Sequence, residues 1–98
     1  VDRGSWNEHY KPRLDPNHPD RYPKDWSAWQ AKLEYPKPVP QVVWAGSLYG
    51  VLRDWMGVEA ISYLAYDDEA LFEEMVTTLA DLIVHSLRLA FARGARFD

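Results

Sequence analysis

The longest hydrophobic pattern in the chain fills most of its last third. Apolar residues recur there every three or four positions, and charged residues fall on the opposite side, which is typical of an amphipathic helix. Acidic residues at 67–69 can cap the start of this helix, and Gly94 is a suitable residue to follow its end. We predict one helix from Asp68 to Arg93. The face expected to be buried contains Phe72, Val76, Leu79, Ile83 and Leu87.

Two shorter helical patterns precede the long one. The first begins after Ser47, and Gly57 should end it. Its apolar side contains Leu48, Val51, Leu52 and Trp55. The second runs from Val58 to Tyr66. Its apolar side contains Ile61, Leu64 and Ala65.

All seven prolines lie in the first forty residues, so this part should consist of short elements joined by rigid turns. Ser5 and Glu8 have the spacing of a capping box, which predicts a short helix from Ser5 to about Lys11. Pro12 should end it, because the residue before a proline is disfavoured in the helical region.

A second short helix is predicted from Trp26 to Glu34, with Asp25 as its N-cap. Trp26, Trp29 and Leu33 would share one of its faces. The alternating prolines that follow, Pro36 to Pro40, should hold the chain extended.

The run Gln41–Ala45 is rich in β-branched and aromatic residues and stops at Gly46, which predicts a buried strand. Residues 96–98 would begin another strand. A lone strand cannot satisfy its backbone hydrogen bonds. Either 41–45 is not a strand, or the 98 residues are a piece of a larger α/β fold, and we favour the second. The chain would then be one partial domain, with 1–40 as its Trp- and Pro-rich lead-in.

Composition narrows the possible functions. The net charge is −4, which argues against binding nucleic acid by phosphate neutralisation. No apolar run approaches the roughly 18 residues of a membrane span, so we expect no membrane association. The N-terminus is polar, so no signal peptide is expected in this chain, and we expect a cytoplasmic location. The absence of cysteine excludes disulfides, thiolate metal sites and cysteine nucleophiles. No metal site is expected at His9, His18 or His85, because their spacings do not place ligands together.

Two stretches resemble a known superfamily. These are Gly46–Glu59, which contains the run Leu52-Arg53-Asp54-Trp55-Met56-Gly57, and Tyr66–Leu71, which contains the acidic cap of the long helix. Together with Gly94-Ala95 they resemble the uroporphyrinogen decarboxylase-like superfamily, which includes the decarboxylase and the corrinoid-linked methyltransferases. The resemblance covers about residues 40–98 well and the first part more loosely.

The resemblance implies a segment of a (β/α)₈ barrel, of which this chain could supply about a quarter. It implies a parent enzyme that performs decarboxylation, or corrinoid-linked methyl transfer, on a small carboxylated or methylated molecule. The arginine-rich motif of the decarboxylase is absent, as are the His and Cys zinc ligands of the methyltransferases. No catalytic residue or cofactor is therefore assigned to this segment; zinc or a corrinoid would belong to the rest of the parent. The chain alone is expected to be inactive and to associate with itself or with the missing segments.

The turn after residue 45 is the best site candidate, because loops at the carboxyl ends of parallel strands carry the sites of α/β proteins. Ser47 offers a hydroxyl, Tyr49 a polar ring, and Arg53 a guanidinium that could pair with a carboxylate. We predict that these three side chains orient a small-molecule substrate. For Arg53, a salt bridge on the helix surface is the slightly favoured alternative.

A different class of function also fits the sequence. Five Trp and six Tyr could form the binding surface of a small helical protein-interaction module that folds alone. Such a module should be monodisperse and should unfold cooperatively.

Overall fold

A computed structural model describes residues 1–32 and 40–97. Of the residues described, 68% are helical and none lies in a strand. The helices are α1 (Arg3–Ser5), α2 (Trp26–Ala31), α3 (Leu48–Met56), α4 (Val58–Asp67) and α5 (Glu69–Ala92). The predicted α/β fold, a segment of a (β/α)₈ barrel, is therefore wrong for this structure.

The predicted strand at Gln41–Ala45 is an irregular segment instead. Val42 is 82% exposed and Trp44 is 90% exposed, and residues 42–45 form no backbone hydrogen bond with the described part of the chain. A β-prone run forms a strand only when a neighbour takes up its N–H and C=O groups. Residues 96 and 97 are irregular as well, and Asp98 lies outside the described residues.

Residues 3–14 form a longer helical run than predicted. α1 continues as a π-helix, Trp6–Tyr10, and then as a 3₁₀-helix, Lys11–Leu14. The N-cap is Asp2, whose carboxylate accepts from the Ser5 amide, so the prediction of Ser5 as N-cap is wrong. Pro12 does not end the run. It lies at the start of the 3₁₀ segment, where a helix tolerates the missing N–H.

α2 begins where the sequence predicts. The Asp25 carboxylate caps it by accepting from the Ser27 amide at 3.0 Å. The helix ends at Ala31, three residues before the predicted end, although Leu33 and Glu34 lie outside the described residues. The stretch from Pro36 to Pro40 was predicted to be extended. Of this stretch, all but Pro40 lies outside the described residues.

The two helices after residue 47 confirm their predictions. Ser47 caps α3, and Gly57 both ends α3 and precedes α4. Gly57 has a φ of 83° and a ψ of 157°, a backbone conformation that is open essentially to glycine alone. α4 runs one residue beyond the predicted Tyr66, and Ile61 is the buried residue on its apolar side.

The long helix is also confirmed at both ends. Asp68 caps α5 by accepting from the Leu71 amide at 3.1 Å, and Gly94 follows the last turn with a φ of 103°. The polar side is exposed as expected. The buried face is shifted and shorter than predicted, because full burial falls on Leu71, Met75 and Leu79.

The core is small. α3 packs on α4, both pack on the first half of α5, and the 3₁₀ segment also contacts α5. The clustered core residues are Trp6, Leu52, Ile61, Leu71, Met75 and Leu79. The described residues have a radius of gyration of 16.5 Å and extents of 50 × 27 × 16 Å. A compact domain of this length has a radius of about 13 Å, so much of the protein lies away from this core.

Candidate functional site

Ser47, the first predicted site residue, uses its hydroxyl oxygen to cap α3. Ser47 Oγ accepts a hydrogen bond from the Gly50 amide at 3.0 Å. A Cβ added to Gly50 would lie 2.9 Å from this oxygen, so glycine at 50 is what permits the close approach. The hydroxyl proton of Ser47 is not used by the cap and remains available as a donor.

Tyr49 and Arg53 lie on the exposed surface of α3. Tyr49 is exposed, and its hydroxyl hydrogen-bonds to no residue of 1–32 or 40–97. The Arg53 guanidinium pairs with the neighbouring Asp54 carboxylate at 3.2 Å, which is a solvated surface ion pair. No hydrogen bond or ion pair joins Ser47, Tyr49 and Arg53 to one another in the described chain.

An exposed apolar segment leads directly into this turn. Val42 and Trp44 are the most exposed of its large apolar side chains, and Ser47 follows three residues after Trp44. Apolar surface of this kind is costly to leave in water and usually marks an interaction site. The candidate turn is therefore placed beside a surface that is suited to contact with other polypeptide.

A second group of aromatic side chains attaches α2 and the preceding loop to the last part of α5. We call Tyr22, Trp26, Trp29, His85 and Arg93 the aromatic cluster. The Trp26 and Trp29 rings meet edge to face at 5.1 Å, and the Arg93 guanidinium lies 5.0 Å from the Trp26 ring. The Tyr22 ring lies 6.1 Å from that of His85, and its hydroxyl is 3.3 Å from Ser86 Oγ. These contacts are partly solvated, because none of the cluster is fully buried.

The N-terminal helical run is fastened to α5 by one carboxylate. Glu74 receives hydrogen bonds from Lys11 Nζ and from an Arg3 guanidinium nitrogen. These two hydrogen bonds, that of Lys11 foremost, lower the pKa of Glu74 from its ordinary 4.5 to about 2. The buried Trp6 indole N–H has no hydrogen-bond partner of normal geometry in the described chain. The indole N–H nevertheless lies near Glu74 and also helps to lower the pKa of that carboxyl.

A cleft that the sequence analysis missed lies between the N-terminal run and α3. Its volume is about 590 Å³, and the side chains that matter to its chemistry are His9, Tyr10, Arg13, Leu14 and Trp55. The spacing of residues 5, 9 and 13 would have placed three side chains on one helical face. That signal was hidden because Pro12 was expected to end the helix before Arg13.

No candidate metal centre is formed by the described residues. Within 1–32 and 40–97, no three His, Asp or Glu side chains are grouped so that they could hold an ion. The chain also has no cysteine.

α5 is long and apolar enough to cross a membrane by length and composition. It has 24 residues, and its best 18-residue window has a mean hydropathy of 1.4. The core helix of a soluble protein can meet the same criterion of length and mean hydropathy. Asp81 and Arg88 are exposed on one face of this helix, as expected for an amphipathic element that packs on one side.

No protein-family model, curated protein or solved structure matches this chain. The resemblance to the uroporphyrinogen decarboxylase-like superfamily therefore depends on the sequence runs that suggested it.

Proposed function

We propose that this chain is part of a uroporphyrinogen decarboxylase-like enzyme in which further chain of the same protein covers its open apolar surface. The single observation that carries the proposal is the exposure of Val42 and Trp44 immediately before the Ser47 turn. This is the stretch where the resemblance begins. Alone, the chain is expected to be inactive.

The distribution of burial supports this proposal. The second half of α5 keeps Val84 and Phe91 exposed, and Ile83 and Leu87 are only partly buried by the described chain. A helix with a continuous apolar stripe is normally covered along its length. Covering the rest of the stripe together with 42–44 would produce a core of more ordinary size.

Within such an enzyme, the turn would orient a carboxylated substrate. The spare hydroxyl proton of Ser47 and the Tyr49 hydroxyl are suited to donate to a carboxylate oxygen. The Arg53 guanidinium could leave the exposed Asp54, at little cost, for a bidentate pair with the substrate. None of the three acts as acid, base or nucleophile in this proposal. The reaction class remains decarboxylation or methyl transfer.

The cap at Ser47 decides how the proposal should be tested. Ser47→Ala would remove the cap and cost about 1 kcal/mol of stability, which would confuse the result. Ser47→Asp and Ser47→Asn both retain a capping oxygen. In the complete parent enzyme, Ser47→Asp should raise KM for a carboxylated substrate far more than Ser47→Asn does, because only the aspartate repels the carboxylate.

Tyr49→Phe is the second variant, and it should raise KM or lower kcat without lowering the melting temperature. Equal kinetics for Ser47→Asp and Ser47→Asn, with full activity of Tyr49→Phe, would show that this turn is not part of the site.

A helical interaction module is the second candidate, and the aromatic cluster favours it. Trp and Tyr are the side chains that contribute most to protein interfaces, and here they are held in fixed relative positions on one side of α5. Sedimentation and thermal unfolding of the 98-residue chain distinguish the two. A segment of a larger enzyme is expected to associate or to unfold over a broad range. A monodisperse monomer with one sharp transition would exclude the proposal that the chain is such a segment and would favour the interaction module.

A further inference from the structure

The cleft between the N-terminal run and α3 combines positive charge with aromatic surface. We propose that it binds a small planar aromatic carboxylate. The inference is independent of the proposed function, since the cleft contains none of the residues of the Ser47 turn. A volume of about 590 Å³ lies within the range of small-molecule sites.

The charge of the lining favours an anion. The Arg13 guanidinium lines the cleft, and none of the Asp or Glu residues in the described chain does. This is notable on a chain of net charge −4. His9 lines the cleft too, with its Nε2 3.9 Å from the Glu8 carboxylate. Within the described residues, no carboxylate pairs with the Arg13 guanidinium, whereas Arg3 and Arg53 each pair with one. A guanidinium without an acidic partner, beside apolar surface, is suited to a bidentate pair with a carboxylate.

The apolar part of the lining favours a flat ring. The Tyr10 and Trp55 ring centroids are 5.1 Å apart with an angle of 43° between the planes, and Leu14 lies beside them. Trp55 is 39% exposed, so part of its surface is open to a ligand. Aromatic rings pack against one another in offset or edge-to-face geometry. The ring of a ligand could pack against this tilted pair in the same way.

The wall of the cleft is held in position by contacts that its side chains make outside the cleft. Tyr10 stacks on Trp6, which is fully buried, with the ring centroids 6.3 Å apart. The pairing of Glu74 with Lys11 and Arg3 fixes the same helical run to α5. The wall includes a π-helix, a rare element that is frequent at functional sites. Such anchoring reduces the ordering cost of binding.

The ligand test uses three probes with the 98-residue chain. Naphthalene-2-carboxylate carries both features, naphthalene-2-carboxamide lacks the charge, and cyclohexanecarboxylate lacks the aromatic ring. Titration calorimetry should give a Kd for the first that is about tenfold below that of either other probe. Amide chemical-shift changes should be largest at residues 9–11, 13 and 14 and at Trp55. Equal affinity for the carboxylate and the carboxamide, or no binding at millimolar concentration, would overturn the proposal.

Variants test whether the named side chains are responsible. Arg13→Gln should weaken binding of naphthalene-2-carboxylate about tenfold and leave the carboxamide unchanged. Lys24→Gln, which removes the same charge from an exposed loop outside the cleft, should change neither. Trp55→Leu should weaken both naphthalene probes while circular dichroism shows a retained fold. Unchanged affinity in Arg13→Gln would place the ligand elsewhere and contradict the proposal.

Discussion

The two halves of α5 have nearly the same apolar spacing and very different surroundings. In the first half, Leu71, Met75 and Leu79 are buried under α3, α4 and the N-terminal helical run. We call this region the packed end. The second half is contacted by the aromatic cluster and leaves Val84 and Phe91 exposed; we call it the open end. An apolar stripe therefore defines a helix, but it does not by itself determine which part of the helix is buried.

The largest expected difference between the ends comes from matched leucines on α5. Leu79→Ala, at the packed end, should lower the free energy of unfolding by about 2–5 kcal/mol, because it leaves a cavity among buried side chains. Leu87→Ala, two turns further along, should cost about 1 kcal/mol, because its side chain is only half-buried. Urea unfolding measures both. Equal losses would show that the open end is covered in solution, as self-association would cause.

Replacing Glu74 should change stability less than Leu79→Ala does, and this change concerns the packed end alone. The folded-state pKa of Glu74, about 2, lies below its ordinary 4.5. A carboxyl with a depressed pKa stabilises the fold above its unfolded value, and this stabilisation is lost as the pH falls from about 4.5 toward 2. Glu74→Gln should therefore cost about 1 kcal/mol at neutral pH, after allowance for partial solvent exposure, and reduce the loss of stability on acidification.

Glu73→Gln is the matched control for this effect, since Glu73 is exposed and forms no ion pair in the described chain. Thermal melts between pH 2 and pH 7 are the measurement. If the two variants have the same pH profile, Glu74 does not fasten the N-terminal run to α5.

The smallest expected effect concerns the open end. Arg93→Gln removes the cation–π contact with Trp26 but can leave the Arg93 carbonyl bonded to Gln30. It should lower global stability by about 0.5 kcal/mol. Amide hydrogen exchange should nevertheless increase over Trp26–Ala31 and leave the packed end unchanged. Faster exchange at Leu71–Leu79 in this variant would show that the two ends unfold as one unit.

Several elements could be predicted from the sequence because their signals are local. Asp68 and Gly94 mark the ends of α5, Ser47 caps α3, and Gly57 separates α3 from α4. A cap bonds to amides two or three residues away, and a glycine conformation depends on its own backbone. Nothing distant in the chain needs to be known to place these boundaries.

The tertiary structure alone decided the features that depend on distant partners. Residues 41–45 have strand-forming side chains, but the described chain provides no neighbouring strand, so they remain irregular. Pro12 lies inside a helical run that packing on α5 supports, and this brings Arg13 to the same cleft as Trp55. The buried part of the α5 apolar stripe is the part that clusters with Trp6, Leu52 and Ile61. Side-chain identity determines which surfaces are apolar, whereas burial requires a second surface, and residue spacing along one segment does not specify where that surface lies.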